Sequence, residues 1–257
     1  KDYLFGRVMM FRKLLINLNM MFYSWLRKKT KKFKIRENIS KELKNSVWDS
    51  YLPKHECVKP FKKNEIPDSE KIVSICQQII ARRGSDINSL QNLSEKSYLI
   101  NILRDEDFTE FPELIEFALS KPIIAILCGY LGYIPRFGTI DLLITLPGPV
   151  VKGSQWLHRD SGDPDNVKCF INITNIDSTN GPLHILPRKQ SRKLLWNTRS
   201  ITGIRKFPDH IVNSYIEKNT FLTNIGKAGS GLFADTSKCF HFGGRVEKDM
   251  RAMLVMH

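Results

Sequence analysis

After Gly132 the sequence changes into short runs rich in β-branched and aromatic residues, separated by turns of Gly, Pro, Asn and Asp. Many short strands at this spacing are typical of antiparallel sandwiches and barrels, and they leave no room for the long helices of alternating βα units. We therefore predict that this half of the chain forms an antiparallel sandwich. The predicted strands are Thr139–Leu146, Trp156–His158, Val167–Ile176, Leu183–Leu186, Thr220–Ile225, Gly231–Ala234 and Arg251–His257.

Helical periodicity dominates the first half of the chain. Pro67–Arg83 and Phe111–Leu131 carry apolar residues at helical spacing, and Pro122 marks a break or a second start within the latter. Two further helical stretches, Ser191–Trp196 and His210–Lys218, fall in an insertion between strands. The predicted fold class is α+β, with helices packed on a β-sandwich.

Length and composition describe one ordinary globular domain. The chain has 257 residues, of which 42% are apolar and 26% charged, far from the composition of disordered chains. Its five cysteines are scattered and odd in number, which indicates reduced packing residues and neither a disulfide framework nor a zinc site. On this basis we expect a cytoplasmic protein.

The N-terminal region, residues 1–45, is predicted to be a basic, amphipathic helical extension. Phe11–Leu26 is largely apolar but too short and too interrupted for a membrane span, and Arg27–Arg36 reads RKKTKKFKIR. Such a helix could lie on an anionic membrane surface, or it could pack on the domain with its basic end in water, which is the commoner arrangement for charge runs. Nucleic-acid binding would rest on the net charge of +14 alone and is not favoured.

The letters HRD at positions 158–160 open the catalytic loop of protein kinases, and they also spell the metal-binding pair His-x-Asp. A kinase loop requires an Asn five residues beyond the Asp, a later Asp-Phe-Gly and an upstream Gly-rich loop. Asp165 stands at the first of these positions, and the other two motifs do not occur in the sequence. The kinase interpretation is therefore excluded.

The metal interpretation places two ligands side by side. Residues two apart on a strand point to the same face, so His158 and Asp160 would present an imidazole and a carboxylate together. They would supply two members of a 2-His-1-carboxylate triad, the arrangement that leaves open positions on a non-haem Fe(II). The third ligand must be a distant histidine, and the candidates are His184, His210, His241 and His257.

His241 is the preferred third ligand because Arg251 follows it ten residues later, at the start of the last predicted strand. If the chain turned near Val246, a hairpin would place His241 and Arg251 opposite each other on paired strands. The guanidinium would then suit a dicarboxylate: 2-oxoglutarate could chelate the iron at one end and pair with Arg251 at the other. Arg245 is the alternative anchor. His184, among apolar neighbours, is expected to be structural.

From Trp156 to Arg251 the sequence resembles the phytanoyl-CoA dioxygenase-like family of Fe(II)/2-oxoglutarate oxygenases. The matching pieces are Q-W-L-H-R-D, C-F-I-N-I-T-N-I-D, T-N-G-P-L-H-I-L-P-R-K-Q-S and the distal H-F-G-G followed by an arginine. Where the family usually has Pro-Gly-Ser-His, this chain reads P-R-K-Q-S from Pro187, so the Gly and the His are absent. The resemblance implies a double-stranded β-helix, or jelly roll, in an oxygenase domain of residues 46–257, with a helical part at 46–132 and a β core at 133–257.

The resemblance also implies the roles of the site residues. The expected ligands of Fe(II) are His158, Asp160 and His241. The expected contacts of 2-oxoglutarate are Arg251, Gln155, Phe170 and Asn172. O2 is the second cosubstrate and hydroxylation of a C–H bond the expected outcome, since a carboxylate at position 160 disfavours halogenation. Asp235 is a candidate for orienting His241.

The substrate is expected to be a small molecule, and basic residues near the predicted site favour an anionic one, including a lipid- or sugar-linked compound. The basic residues are Arg136, Lys152, Arg159, Arg188 and Lys189. The alternative, from a different functional class, is a catalytically inactive β-sandwich scaffold whose basic helix binds a membrane or a partner.

Overall fold

The structure, a computed structural model, describes residues 22–23, 25–43, 47–84, 87, 98–148, 151, 153–161, 163–198 and 206–257. Within these residues the strands are β1 (Val58–Phe61), β2 (Ile100–Asn101), β3 (Ile140–Thr145), β4 (Leu157–His158), β5 (Val167–Asn172), β6 (His184–Leu186), β7 (Lys206–Phe207), β8 (Leu222–Thr223), β9 (Gly231–Asp235), β10 (Phe240–Phe242) and β11 (Arg251–Met256). The helices are α1 (Lys31–Glu42), α2 (Ser69–Arg83), α3 (Asp105–Glu110), α4 (Glu113–Ala118), α5 (Lys121–Leu131), α6 (Arg188–Asn197) and α7 (Asp209–Tyr215), with 3₁₀ turns at Gly153–Gln155 and Lys218–Thr220.

The strands form two antiparallel sheets. The large sheet has the order β1-β9-β5-β11-β3-β2, and the small sheet has the order β7-β4-β10-β6-β8. Side chains of both sheets line one cavity between them. This arrangement confirms the predicted α+β class and the antiparallel sandwich.

β11 is the central element of the large sheet, where it pairs with β3 and β5. Arg251, Met253 and Val255 line the cavity, and by the strand period Ala252 and Leu254 face the opposite side. All six residues of the strand are buried. A strand that is buried on both faces reads as a continuous apolar run, which is why RAMLVM shows almost no alternation.

The insertion between β6 and β8 covers the outer face of the small sheet. Leu194 of α6 and Val212 of α7 belong to a hydrophobic cluster with Leu157 of β4 and Phe240 of β10. Since neighbouring strand residues point to opposite faces, His241 faces the cavity while Phe240 faces these helices. The predicted insertion helices therefore support the strands that carry two of the expected ligands.

The described part of the N-terminal extension packs on the domain. Phe33 of α1 is buried, and its ring lies 4.7 Å from the ring of Tyr133 between centroids. Arg36 Nε donates a hydrogen bond of 2.7 Å to the Ile134 carbonyl. Residues 1–21, which include most of the apolar stretch named above, lie outside the described residues.

One stretch of the described chain, Glu113–Leu131, is long and apolar enough by composition to cross a membrane. It is divided between α4 and α5, with Pro122 in the first turn of α5 as the sequence predicted. Of the apolar window, 44% is buried inside the domain, where Leu114 and Ile126 belong to the main hydrophobic core.

Two expectations about the strands need correction. β1 and β2 lie in the part predicted to be helical; β1 has four residues and contains Pro60, and β2 has two, so neither is long enough for a period to show. Both are edge strands, where proline is tolerated. The predicted hairpin between His241 and Arg251 is wrong, because the chain leaves the small sheet after β10, passes Gly244 at φ 74°, and enters the large sheet as β11.

Candidate metal centre

Strand register in the small sheet brings two of the predicted ligands together. His158 of β4 and His241 of β10 are paired opposite each other in the antiparallel ladder. Directly opposed residues point to the same face, and the two ring centroids lie 4.3 Å apart. Asp160 follows two residues after His158, and its backbone N–H donates to the Thr236 carbonyl at 3.0 Å, which fixes the chain beside the turn before β10.

His158, Asp160 and His241 form one cluster, with a candidate ligand atom from each residue all within 4.8 Å of one another. Asp160 Oδ1 lies 3.7 Å from His158 Nε2 and 3.9 Å from His241 Nε2. Nδ1 of His158 is hydrogen-bonded to the Trp156 carbonyl at 2.8 Å, and Nδ1 of His241 to the Cys239 carbonyl at 3.1 Å. Because a carbonyl only accepts, each Nδ1 carries the proton and each Nε2 lone pair is available to a metal.

Burial keeps both imidazoles neutral. Desolvation lowers the pKa of His241 to about 3, with a further contribution from His158, and burial also lowers the pKa of His158. Burial alone would raise the pKa of Asp160, but its interactions with His241 and Lys168 outweigh this and hold the pKa below its usual range. At neutral pH the cluster is therefore two neutral nitrogen donors and one carboxylate. This donor set fits a divalent first-row metal held on one side, with the other side open.

The cavity beside the cluster has a volume of about 490 Å³, which suits a small molecule. The small sheet contributes His158 and His241, and the large sheet contributes Phe170 of β5, Leu143 of β3 and Met253 of β11. The metal cluster and the apolar walls thus belong to different sheets. Any molecule bound at the cluster would lie between them.

Arg251 is inside this cavity and only 4% exposed. Its Nη1 donates to the Gly181 carbonyl at 2.8 Å and its Nη2 to Thr145 Oγ1 at 3.3 Å, while Nε is buried without a hydrogen-bond partner. Burial lowers the pKa of Arg251 to about 10, so the guanidinium stays charged at neutral pH. Its hydrogen bonds among the described residues all go to neutral oxygens. A buried, uncompensated cation is costly, and an anion in the cavity would compensate it.

Of the other three residues expected to contact 2-oxoglutarate, one lines the cavity and two do not. Phe170 lines the cavity. Gln155 is buried behind the wall and donates from Nε2 to the Gly244 carbonyl. Asn172 donates to Ser230 Oγ at 3.2 Å and accepts from Asn224 at 2.9 Å. Neither Gln155 nor Asn172 lines the cavity.

Three further candidates from the sequence lie away from the cavity. Arg245 forms a forked ion pair with Asp209, at 2.9 and 2.8 Å, and lines a separate pocket behind the small sheet. His184 lines that same pocket, where its ring stacks on Phe242 at 4.6 Å between centroids. Asp235 pairs with Lys238 at 2.6 Å, so the carbonyl of Cys239, and not Asp235, orients His241.

The basic residues named from the sequence lie in different parts of the structure. Arg159 is among the residues at the mouth of the cavity, but its guanidinium lies over the Phe240 ring at 4.9 Å, on the opposite face of the small sheet. Arg136 lines a groove beside α1, and Arg188 donates to the Lys54 carbonyl at 3.2 Å. Lys189 is exposed on α6, and Lys152 lies outside the described residues.

The structure adds three charged residues that the sequence analysis missed, Lys168, Lys206 and Asp141, and it places His257, a candidate ligand in the sequence, in the cavity wall instead. Lys168 lines the cavity two residues before Phe170, and Lys206 is paired opposite His158 at the mouth. Asp141 and His257 both line the cavity and contact each other, with Nε2–Oδ2 at 3.1 Å. The strand period was a usable signal for Lys168, which shares a face with Phe170, and for His257, which continues the cavity face of β11. No such signal marked Lys206, because β7 has only two residues.

Comparison with known proteins agrees with this geometry at the level of the fold. No family model matches the sequence, and no curated protein matches it. Among solved structures, AviO1 from Streptomyces viridochromogenes Tue57 is 12% identical over 83% of this chain and 94% of its own, with a TM-score of 0.52. EctD from S. alaskensis, solved with 2-oxoglutarate and 5-hydroxyectoine, is 13% identical over 82% and 76%, with a TM-score of 0.51.

A third solved structure is that of the non-heme alpha ketoglutarate dependent carbocyclase SnoK from nogalamycin biosynthesis. It is 12% identical over 83% of this chain and 84% of its own, with a TM-score of 0.50. The jelly-roll fold implied by the resemblance is therefore confirmed, and the chain shares it with non-haem enzymes that use 2-oxoglutarate.

Acid is expected to destabilise the metal-free protein partly through His184. Burial, aided by the charges of Arg245 and Arg251, lowers the pKa of His184 to about 4, whereas histidine in an unfolded chain titrates near about 6.5. On acidification the unfolded chain therefore takes up this proton first, and the stability that neutral His184 contributes above about pH 6.5 is lost as the pH falls towards about 4. Chemical denaturation in a chelator should show a smaller loss over this window for His184→Phe, which keeps a ring against Phe242. Equal slopes would contradict the assignment.

Proposed function

We propose that the protein is an Fe(II)- and 2-oxoglutarate-dependent dioxygenase that hydroxylates a small anionic substrate. The observation that carries the proposal is that one cavity holds both the His158–Asp160–His241 cluster and the buried cation of Arg251. A ferrous ion fits the first feature and a dicarboxylate fits the second. Solved structures of EctD, which shares the fold, contain 2-oxoglutarate in one case and iron in another.

Each part of the site has a task in this proposal. The three cluster residues hold the iron, and Arg251 receives the distal carboxylate of 2-oxoglutarate in a forked ion pair. With O2, the bound iron and 2-oxoglutarate supply the oxidation, in which the keto acid becomes succinate and CO2 and a substrate C–H becomes C–OH. Phe170, Met253 and Val255 line the cavity with apolar surface, which limits the water that reaches the metal.

The charges at the mouth of the cavity support an anionic substrate. Lys168 and Lys206 line the mouth, and the acidic group beside them is the carboxylate of Asp160, the proposed metal ligand. Once Asp160 serves a metal, the mouth is positively charged and attracts a carboxylated or phosphorylated molecule, including a lipid- or sugar-linked one. The intact carboxylate at position 160 favours hydroxylation over halogenation.

The proposed domain division assigns catalysis to residues 46–257 and a peripheral membrane contact to the extension at residues 1–45. Tyr23 and Trp25 are 69% and 54% exposed, and the exposed lysines Lys28 and Lys29 follow within one helical turn of Trp25. Exposed aromatic rings beside lysines suit the headgroup region of an anionic bilayer. In this proposal the enzyme is cytoplasmic and meets the membrane surface from that side.

A second candidate is an inactive scaffold that retains the jelly roll. The hydrophobic core of both sheets would serve a scaffold equally well. The site favours the enzyme, because a scaffold gains nothing from a buried, uncompensated guanidinium that faces three convergent ligands. Turnover decides between the two candidates.

Wild-type protein supplied with Fe(II) and O2 is expected to convert 2-oxoglutarate to succinate without added substrate. His158→Ala and Asp160→Ala should each reduce this uncoupled turnover to background, because each removes a metal ligand. His184→Ala is the matched control, a histidine outside the cavity, and should retain turnover. Succinate measured by mass spectrometry gives the result; metal-independent turnover, or none in the wild type, would favour the scaffold.

Arg251→Met is expected to weaken the binding of 2-oxoglutarate to the metal-loaded protein by at least about 30-fold, the lower end of the cost of truncating a buried charge pair. Arg245→Met should leave that affinity unchanged, because Arg245 lies behind the small sheet against Asp209. Calorimetric titration with 2-oxoglutarate in the absence of O2 compares the two variants. A larger loss for Arg245→Met would reverse the assignment of the anchor.

The membrane contact predicts that the full chain co-sediments with vesicles containing phosphatidylserine and not with vesicles of phosphatidylcholine alone. A variant with Tyr23→Ser, Trp25→Ser, Lys28→Glu and Lys29→Glu should lose this binding while keeping turnover, since these exposed side chains lie outside the cavity. Wild-type protein that stays in the supernatant at low salt would exclude the contact.

A further inference from the structure

Lys168 lies beside the candidate metal ligand Asp160 inside the cavity. Its Nζ forms an ion pair with Asp160 Oδ2 at 2.7 Å, outside ordinary hydrogen-bond angles, and the lysine side chain is 13% exposed. The residue belongs to β5 of the large sheet, whereas the two candidate histidine ligands belong to the small sheet. This ion pair therefore links the two sheets at the metal cluster.

The two oxygens of the Asp160 carboxylate have different surroundings. Oδ1 faces the Nε2 atoms of His158 and His241 at 3.7 and 3.9 Å, and Oδ2 faces Lys168. We propose that Lys168 is a positioning residue that makes Asp160 a one-oxygen ligand, with Oδ1 on the metal and Oδ2 held by the ammonium. This inference rests on the proposed function, because it concerns how the same cluster holds its metal.

The backbone of Asp160 is already fixed, so the orientation of its carboxylate is the remaining freedom. The Asp160 N–H donates to the Thr236 carbonyl at 3.0 Å, which sets the position of the Cα. A carboxylate on such a backbone can offer a metal one oxygen or both, and a second oxygen would occupy a position that a facial triad leaves open. With Oδ2 held by Lys168, that position stays available to 2-oxoglutarate and O2.

The strand register places other polar residues next to Lys168. Cys169, the next residue of β5, is paired with Met256 of β11, which puts His257 beside Lys168 on the cavity face. The imidazole of His257 is held in turn by Asp141 at 3.1 Å. Lys168 thus lies beside polar residues of a neighbouring strand, and its side chain is largely buried.

The opposite role for Lys168 makes the opposite prediction. If the lysine were only a counter-ion that a metal displaces, its removal would tighten metal binding, because a competing positive charge would be gone. If it positions the carboxylate, its removal should weaken metal binding about 10- to 100-fold, the usual cost of losing a residue that orients a metal ligand. The sign of the change separates the two roles.

Co(II) titration of the apo-protein tests the inference, since the affinity and the visible absorption of Co(II) report ligation without turnover. Lys168→Met keeps the length of the side chain and removes the ammonium, whereas Lys168→Arg keeps a cation that can reach Oδ2. Lys189→Met is the matched control, because it removes the same charge from the exposed side of α6, outside the cavity. The melting temperature of each metal-free variant shows that it is folded.

The expected result is a 10- to 100-fold weaker Co(II) affinity and an altered visible spectrum for Lys168→Met, of about the size that loss of an orienting partner produces. Lys168→Arg should restore both properties, and Lys189→Met should match the wild type. Lys168→Met that binds Co(II) as tightly as the wild type, or more tightly, with an unchanged spectrum would overturn the inference alone. Failure of the wild type to bind Co(II) would instead count against the proposed function.

Discussion

The pairing of β4 with β10 in a single register is the constraint on which the site depends. With His158 opposite His241, the two imidazoles share a face and lie at a separation that one metal ion can bridge. A shift of one residue in either strand would turn one histidine towards α6 and α7, because the side-chain period of a strand is two. Phe240 and Leu157 oppose such a shift, since it would drive these buried side chains from the hydrophobic cluster into the polar cavity. The packing of the small sheet against α6 and α7 therefore determines that both imidazoles face the cavity.

Burial acts on the site charges in two directions. It keeps His158 and His241 neutral, which leaves their Nε2 lone pairs free, and it leaves Arg251 charged because the pKa of a guanidinium starts so high. The carboxylate of Asp160 is balanced by Lys168, whereas Arg251 is not balanced by any described carboxylate. The charges of the site therefore suit one metal ion beside Asp160 and one anion beside Arg251.

The sequence carried enough information to predict that His158, Asp160 and His241 converge, but not the way the two sheets are connected. His158 and Asp160 are two residues apart in the sequence, and His241 precedes the Phe-Gly-Gly run and Arg251. Local periodicity and the order of the motifs were therefore sufficient to predict this convergence. The segment between β10 and β11, residues 243–250, is long enough either to close a hairpin or to cross between sheets, and no local property distinguishes the two. Arg251 was therefore placed in the right cavity by an incorrect pairing.

The other features that the sequence did not predict have a common physical origin. Lys206 lies in β7, which has two residues, and the edge strands β1 and β2 have four and two. The structure of such short strands is set by the strands they pair with and not by their own residue pattern. Gln155 and Asn172 have residue types that suit a cosubstrate, yet their side chains bind Gly244 and Ser230, contacts that form only when distant segments meet. Type and spacing therefore locate a residue near a site, whereas its contacts depend on tertiary structure.

Because the site is divided between two sheets, substitutions in one part of it can leave the other part unchanged. The two candidate histidine ligands belong to the small sheet, which α6 and α7 support from behind, and Arg251, the proposed anchor of the cosubstrate, belongs to the buried centre of the large sheet. The charged residue at the mouth, Lys206, lies on an edge strand. Its substitution would leave the register of β4 and β10 unchanged, because by the strand period its side chain faces the cavity and not the hydrophobic cluster behind the sheet. Selectivity for the substrate can therefore vary while the metal geometry is retained, provided that Lys168, which lies between the two regions, keeps its hold on Asp160.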